Sequence, residues 1–191
     1  NKLVTLSDTI LFGGEIANAF LKAQKVSIGK NEISTEQVKM AKEIIEVAKA
    51  KGCEIVLPVD HLGAKEMSES AEILEINTQQ IPDNLFTLDL GPRTLLNYRE
   101  IIEAAKTVFW FGVMGEFKWE NANKGTEAIG EYIALSTPKD CFKFAGGSET
   151  TLAMNLLKIK QKRFTHTSIG DKMLLKVLSG EKFRILDQIS K

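Results

Sequence analysis

Three glycine turns carry the residue types that could hold a phosphate. Gly13-Gly14, Gly146-Gly147 and Gly170 each follow a short strand-like run and precede a stretch with helical patterning. At a strand-to-helix turn, glycine lets backbone N–H groups approach an anion, and the helix N-terminus favours negative charge. Beside the second and third turns stand a hydroxyl, a carboxylate and an ammonium, on Ser148, Asp171 and Lys172. Lys172 would favour an anion. Asp171 would instead cap the last helix and put the protein's own carboxylate where a phosphate would go. Taken singly, each turn is equally compatible with glycines that only close a tight turn.

The other reactive side chains lack partners. Cys53 and Cys141 each open an apolar, strand-like run and read as buried free thiols, with no CxxC pair or nearby histidine at ligand spacing. His61 follows Asp60 in an expected loop and His166 lies in Thr-His-Thr, so both read as structural and no metal site is expected. The run KIKQKR (158–163) places four cations in six residues at a helix end. Without aromatic interleaving, it reads as a solvated or dipole-complementing face and not as a nucleic-acid surface.

The elements that must position these residues alternate. An apolar run over 9–12 ends at Gly13-Gly14, after which Ile16, Ala17, Phe20 and Leu21 recur at helical spacing. Ser34 with Gln37 is a capping-box pattern for a helix striped by Val38, Ala41, Ile44, Ile45 and Ala48 and stopped at Gly52. A buried strand over 54–57 follows, and the polar stretch 68–82 holds one short strand near 73–76. Pro92 suits the first turn of a helix that leads to a strand over 107–111. A helix over about 124–135, a strand over 141–145, a helix after Gly147, a strand over 165–168 and a helix over 172–178 complete the pattern. Strand and helix in alternation imply a parallel sheet with helices on both faces, an α/β fold of Rossmann-like type.

A chain of 191 residues with no net charge is long enough for one well-buried domain, expected to span 1–191. There is no apolar run of roughly 18 or more residues and no basic-then-apolar leader, so neither a membrane span nor a signal peptide is expected. The expected setting is soluble, intracellular and cytoplasmic, with an organelle left open.

Six collinear segments resemble phosphoglycerate kinase, specifically its C-terminal, nucleotide-binding half. They are ILFGGEIANAFLKA, AKEIIEVAKAKGCEIVLPVD, LFTLDLGPRT, VFWFGVMGEFKWE, FAGGSETTLA and HTSIGDKMLLKVLSGEKF. The resemblance implies ADP or ATP with Mg²⁺ as the family's cofactor. It places Gly13 and Gly14, with Leu90 and Gly91, by the adenine; Gly146 and Gly147 by metal and phosphates; and Gly170 by the phosphoryl-transfer centre. Where the family typically has Trp-Asn-Gly-Pro and Gly-Val-Phe-Glu, this chain has Phe111 for the asparagine, Val113 for the proline and Lys118 for the glutamate. Gly112, Gly115 and Phe117 persist. The glutamate resembles the ribose partner, and a cation cannot accept hydrogen bonds from ribose hydroxyls. Ser148 stands for the aspartate that serves Mg²⁺ and would cap the following helix. The family's third glycine run is reduced to Gly170, followed by Asp171, Lys172, Met173 and Leu174.

The resemblance also implies that the family's N-terminal half, and the first strand of this half, are absent from this chain, whose start at Asn1 reads as a processed or truncated product. Three readings follow. One is a catalytically impaired lobe serving as a structural or interaction component, its partner another protein or its own missing half. Another is the C-terminal half of a working kinase that moves phosphoryl between 1,3-bisphosphoglycerate and MgADP. The third is a non-catalytic nucleotide-binding regulator. Phe111, Val113, Phe117 and Trp119 are expected either to form an exposed docking patch or to fill the vacated cleft.

Overall fold

The computed structural model describes residues 2–181. Asn1, Phe183 and the side chain of Lys172 lie outside the described residues. In chain order the elements are β1 (Thr9–Leu11), α1 (Gly14–Ala23), α2 (Thr35–Lys51), β2 (Glu54–Val56), β3 (His61–Ala64), β4 (Leu74–Ile76), β5 (Phe86–Leu90) and α3 (Pro92–Glu103). They continue with β6 (Thr107–Phe111), α4 (Lys124–Glu131), β7 (Phe142–Gly146), α5 (Ser148–Leu156), β8 (His166–Ser168) and α6 (Lys172–Leu178). A π-helical turn over Tyr132–Ser136 prolongs α4.

The parallel α/β architecture expected from the alternation is present, in two ribbons. β1 pairs with β2, and β7 lies between β6 and β8, all in parallel. A third, antiparallel sheet in the order β4-β3-β5 stands apart from them, with a register shift between Leu62 and Gly63. That sheet corrects the sequence reading of His61 as a loop residue: His61 is buried in β3, opposite Ile76 and Leu90. Burial pushes its imidazole below the ordinary histidine range, and its Nε2 has no hydrogen-bond partner.

Local signals explain most of the helices. Ser34 Oγ accepts from the Gln37 N–H while the Ser34 N–H donates to Gln37 Oε1, so the capping box is complete. Gly52 ends α2 in the left-handed region at φ 71°. α3 starts with Pro92 in its first turn and is capped from a distance by Asp60, described below. Two clusters dominate the core. One joins Leu90, Tyr98, Ile102, Trp110, Ile129 and Met154, and the other joins Phe20, Leu21, Ile28, Leu57, Ile81 and Leu85. Tyr98 ties the helical layer to the first ribbon, because its hydroxyl donates to the Phe12 carbonyl at 2.6 Å and reaches that of Val56 at 3.2 Å. Cys53 and Cys141 are buried free thiols, as their strand-opening positions suggested.

Candidate functional site

The glycine turns gather where parallel strands end. Gly13-Gly14 follows β1, Gly112 follows β6, Gly147 follows β7 and Gly170 follows β8, each at the carboxyl end of its strand. Gly14, Gly112 and Gly147 have φ of 57°, 93° and 99°, a region costly for a residue with a Cβ. The three glycine turns read from the sequence thus lie at the carboxyl ends of parallel strands, and Gly112 adds a fourth.

The backbone donors of that edge are already engaged within the protein. Gly14 N–H donates to the Met114 carbonyl at 3.1 Å, and Gly147 N–H donates to the Ser168 carbonyl at 2.9 Å. Gly112 N–H donates to Thr150 Oγ1 at 2.7 Å, and Gly170 N–H donates to Ser168 Oγ at 3.2 Å. Thr150 is fully buried, while the half-buried Thr151 donates its hydroxyl to the Gly147 carbonyl at 2.8 Å.

Two expected caps are redistributed. Ser148 does not cap the following helix: it is the first residue of α5, Gly147 holds the N-cap position, and no side chain makes a cap bond there. Asp171 does not cap α6 by its side chain either. Its Oδ1 accepts from the Ser148 N–H at 2.7 Å, across 23 residues, and so sits on the first turn of α5. The backbone N–H and then the side chain of Ser148 hold the Asp171 carboxyl below the usual carboxylate range. The physical reason is reach: the β8 end lies beside the β7 end, and a helix start with unpaired N–H groups attracts the nearest carboxylate.

Aromatic and apolar side chains cover the same corner. A Cβ placed on Gly147 would stand 3.1 Å from Phe111 Cε2, and Leu174 and Phe144 crowd Gly146. Phe111 runs parallel to Phe109 at 6.4 Å, Phe109 stacks on Phe144 at 4.9 Å, and Phe144 on His166 at 5.4 Å. The four residues expected either at an exposed patch or in the cleft are not exposed. Phe117 is buried, Phe111 and Val113 are half-buried, and Trp119 packs against Ala64, Ala71, Leu88 and Ala122. Lys118 is exposed, with Nζ 5.7 Å from the Phe117 ring centre. Leu90 lies in the core, and Gly91 meets the Asp60 carboxylate, so both serve the start of α3.

Two buried carboxylates shape the loops around this edge, and the sequence reading missed both. Asp60 accepts from Arg93 N–H and Thr94 N–H, each at 2.8 Å, and from the Thr94 hydroxyl at 2.6 Å. Asp89 accepts from Gly125 N–H at 2.6 Å and Leu90 N–H at 2.8 Å, and packs against Gly115 and Gly125. With no cation in its contacts, burial pushes its carboxyl up to about 7 against those two N–H groups. No local signal pointed to Asp60, because the helix it caps begins more than 30 residues later.

A family model for phosphoglycerate kinase matches residues 1–181. The chain belongs to the phosphoglycerate kinase family. It is similar to phosphoglycerate kinases from Lactobacillus delbrueckii subsp. lactis, at 40% identity over 94% of this chain and 43% of the relative, and from Clostridium perfringens, at 38% identity over 95% and 44%. Among solved structures, phosphoglycerate kinase from Coxiella burnetii superposes with a TM-score of 0.87 at 32% identity, over 94% of this chain and 46% of that one. Phosphoglycerate kinase from Pyrococcus horikoshii OT3 gives 0.78 at 27%, over 94% and 44%. The chain thus spans less than half the length of the relatives it matches. The sequence resemblance and the parallel α/β fold are both established by these matches.

The family's Mg-nucleotide can be tested against this edge. A hard divalent cation asks for carboxylate or phosphate oxygens. Ser148 offers a neutral hydroxyl, and the carboxylate beside it, Asp171, is already held by the Ser148 N–H. Among the described residues, no group of three His, Cys, Asp or Glu is placed to hold a metal. Ser148 itself supplies no carboxylate for Mg²⁺, and one oxygen of Asp171 is taken up by the Ser148 N–H. Among the described residues, no helix is long and apolar enough to cross a membrane.

Proposed function

We propose that this chain is a catalytically impaired phosphoglycerate-kinase-like lobe that serves as a structural or interaction component. Its partner is then another protein or the half of the family's architecture that this chain does not span. The observation that carries the reading is the Asp171 carboxylate on the Ser148 N–H. A phosphate bound at the start of α5 would have to displace a charge-assisted hydrogen bond and then face the carboxylate it displaced. Phe111 over Gly147 supports the same reading, because phosphoryl transfer rests on open backbone donors and cations around the moving group.

The test is calorimetric titration of the chain with ADP and with MgADP, for the wild type and Asp171→Ala. Any ADP affinity is expected to be nearly independent of Mg²⁺ and to rise severalfold in the variant, which frees the Ser148 N–H. A tenfold or greater gain from Mg²⁺ that disappears in Asp171→Ala would instead make Asp171 a working metal ligand, and the impaired reading would fail.

A further inference from the structure

The strongest feature outside the glycine-turn edge lies at the opposite end of the same sheet. β7 begins with Phe142 and Lys143, just after Cys141, and the strand turns its phenylalanine outward and its lysine inward: Phe142 is 48% exposed and Lys143 only 9%. An ammonium on the buried face of a strand is costly unless something compensates its charge. The Lys143 Nζ has one protein partner, the Ala134 carbonyl at 3.5 Å, the long limit of a hydrogen bond. An ammonium carries three donors, so this leaves two unassigned.

Lys143 lines a hollow of about 430 Å³ together with Lys139, Lys162 and Arg163, and no carboxylate lines it. None of these four cations makes an ion pair among the described residues. Thr165 adds a hydroxyl to the wall, while the Thr137 hydroxyl donates to the Ile133 carbonyl. The basic run 158–163, read from sequence as a merely solvated face, therefore contributes two of its cations to a concave surface around a buried third.

We propose that this hollow is a binding site for a compact phosphorylated anion, separate from the nucleotide edge. The buried Lys143, with Lys139, Lys162 and Arg163 around the same hollow, suits a small ligand with two or more negative charges. An extended polymer would be met by a flat basic face instead. The strand runs from Lys143 at this hollow to Gly146 at the glycine turn, so the two sites lie at opposite ends of β7, about 10 Å apart along its axis.

The probe is pyrophosphate, followed by calorimetry and by backbone amide shifts of the chain. The expected result is a Kd below ~1 mM that weakens with added salt, with shifts at Lys143, Arg163 and Thr165. The paired variant Lys162→Ala/Arg163→Ala, on the exposed wall, is expected to lose at least tenfold in affinity with an unchanged melting temperature. Lys143→Met should lose at least as much. Shifts confined to Gly147 and Ser148, or affinity unchanged in both variants, would overturn the proposal by placing the anion at the glycine turns. Binding of a single-stranded oligonucleotide that both variants abolish, with no pyrophosphate binding, would overturn it in favour of a nucleic-acid surface. No binding of either probe would overturn it outright.

Discussion

Asp89 is expected to make the stability of this protein fall as pH rises toward neutrality. Its carboxyl is buried beneath the loop that carries Gly112 and Gly115, and burial outweighs two backbone N–H donors to put the folded-state pKa near 7, against 3.8 for the free group. A raised carboxyl pKa means the folded state holds a proton that the unfolded state has released. Between those two values the unfolded chain binds fewer protons, so the unfolding free energy decreases with pH, and the loss is complete only above about 7. Where the two states differ by one whole proton, stability falls by about 1.4 kcal/mol for each step of one in pH. From pH 5 to 8 that difference persists over roughly two such steps, up to the folded-state pKa, and then vanishes. The expected loss across that window is therefore about 2.5 kcal/mol.

Asp89→Asn isolates this contribution from every other titrating group. The amide keeps the shape and one acceptor oxygen but has no charge to desolvate, so the variant lacks this component of the pH dependence. Urea unfolding of both proteins at pH 5, 6, 7 and 8 gives the difference directly. The variant should gain about 2.5 kcal/mol on the wild type as pH rises from 5 to 8. A difference flat to within about 0.5 kcal/mol, or one that grows in favour of the wild type, would mean that the Gly125 and Leu90 N–H groups stabilise the carboxylate more than burial disfavours it.

The remaining predictions concern the corners that hold the site. Asp60→Ala strips three hydrogen bonds from a fully buried cap and should cost about 3–4 kcal/mol, a melting-point drop of about 10 °C by thermal unfolding; a drop under about 3 °C would show that water replaces the carboxylate. Phe111→Ala removes a half-buried ring that lies over Gly147 and should cost about 2 kcal/mol of chain stability; unchanged stability would return Phe111 to the reading as a partner contact. Asp171→Gly should remove protection of the Ser148 amide from hydrogen exchange while leaving α6 amides unaffected; the reverse pattern would restore Asp171 as the cap of its own helix.

What the sequence disclosed was local. The capping box of Ser34 and Gln37, the left-handed Gly52 and the proline at the start of α3 each depend on residues a few positions apart, and each is observed as read. What it hid was set by partners far along the chain. The segment His-Leu-Gly-Ala carries no alternation that marks a strand, yet it pairs with Phe86–Leu90, more than 20 residues on, and becomes the middle of a sheet. Asp60 likewise looks like a loop acid until α3 arrives with Arg93 and Thr94.

The site shows the same limit more sharply. The sequence resemblance sets Phe111, Ser148 and Asp171 against an asparagine, an aspartate and a glycine of the family, three positions far apart along the chain. In the fold they converge on two adjacent residues: the Phe111 ring lies over Gly147, and the Asp171 carboxylate takes the N–H of Ser148. The three residues therefore meet at one corner of the fold. The Phe111 ring packs beside a glycine at φ 99°, and the Asp171 carboxylate takes a helix-start N–H that would otherwise be open to solvent. A single reversion at this corner should thus weaken the packing before it restores any chemistry, because each residue now supports the arrangement that the others require.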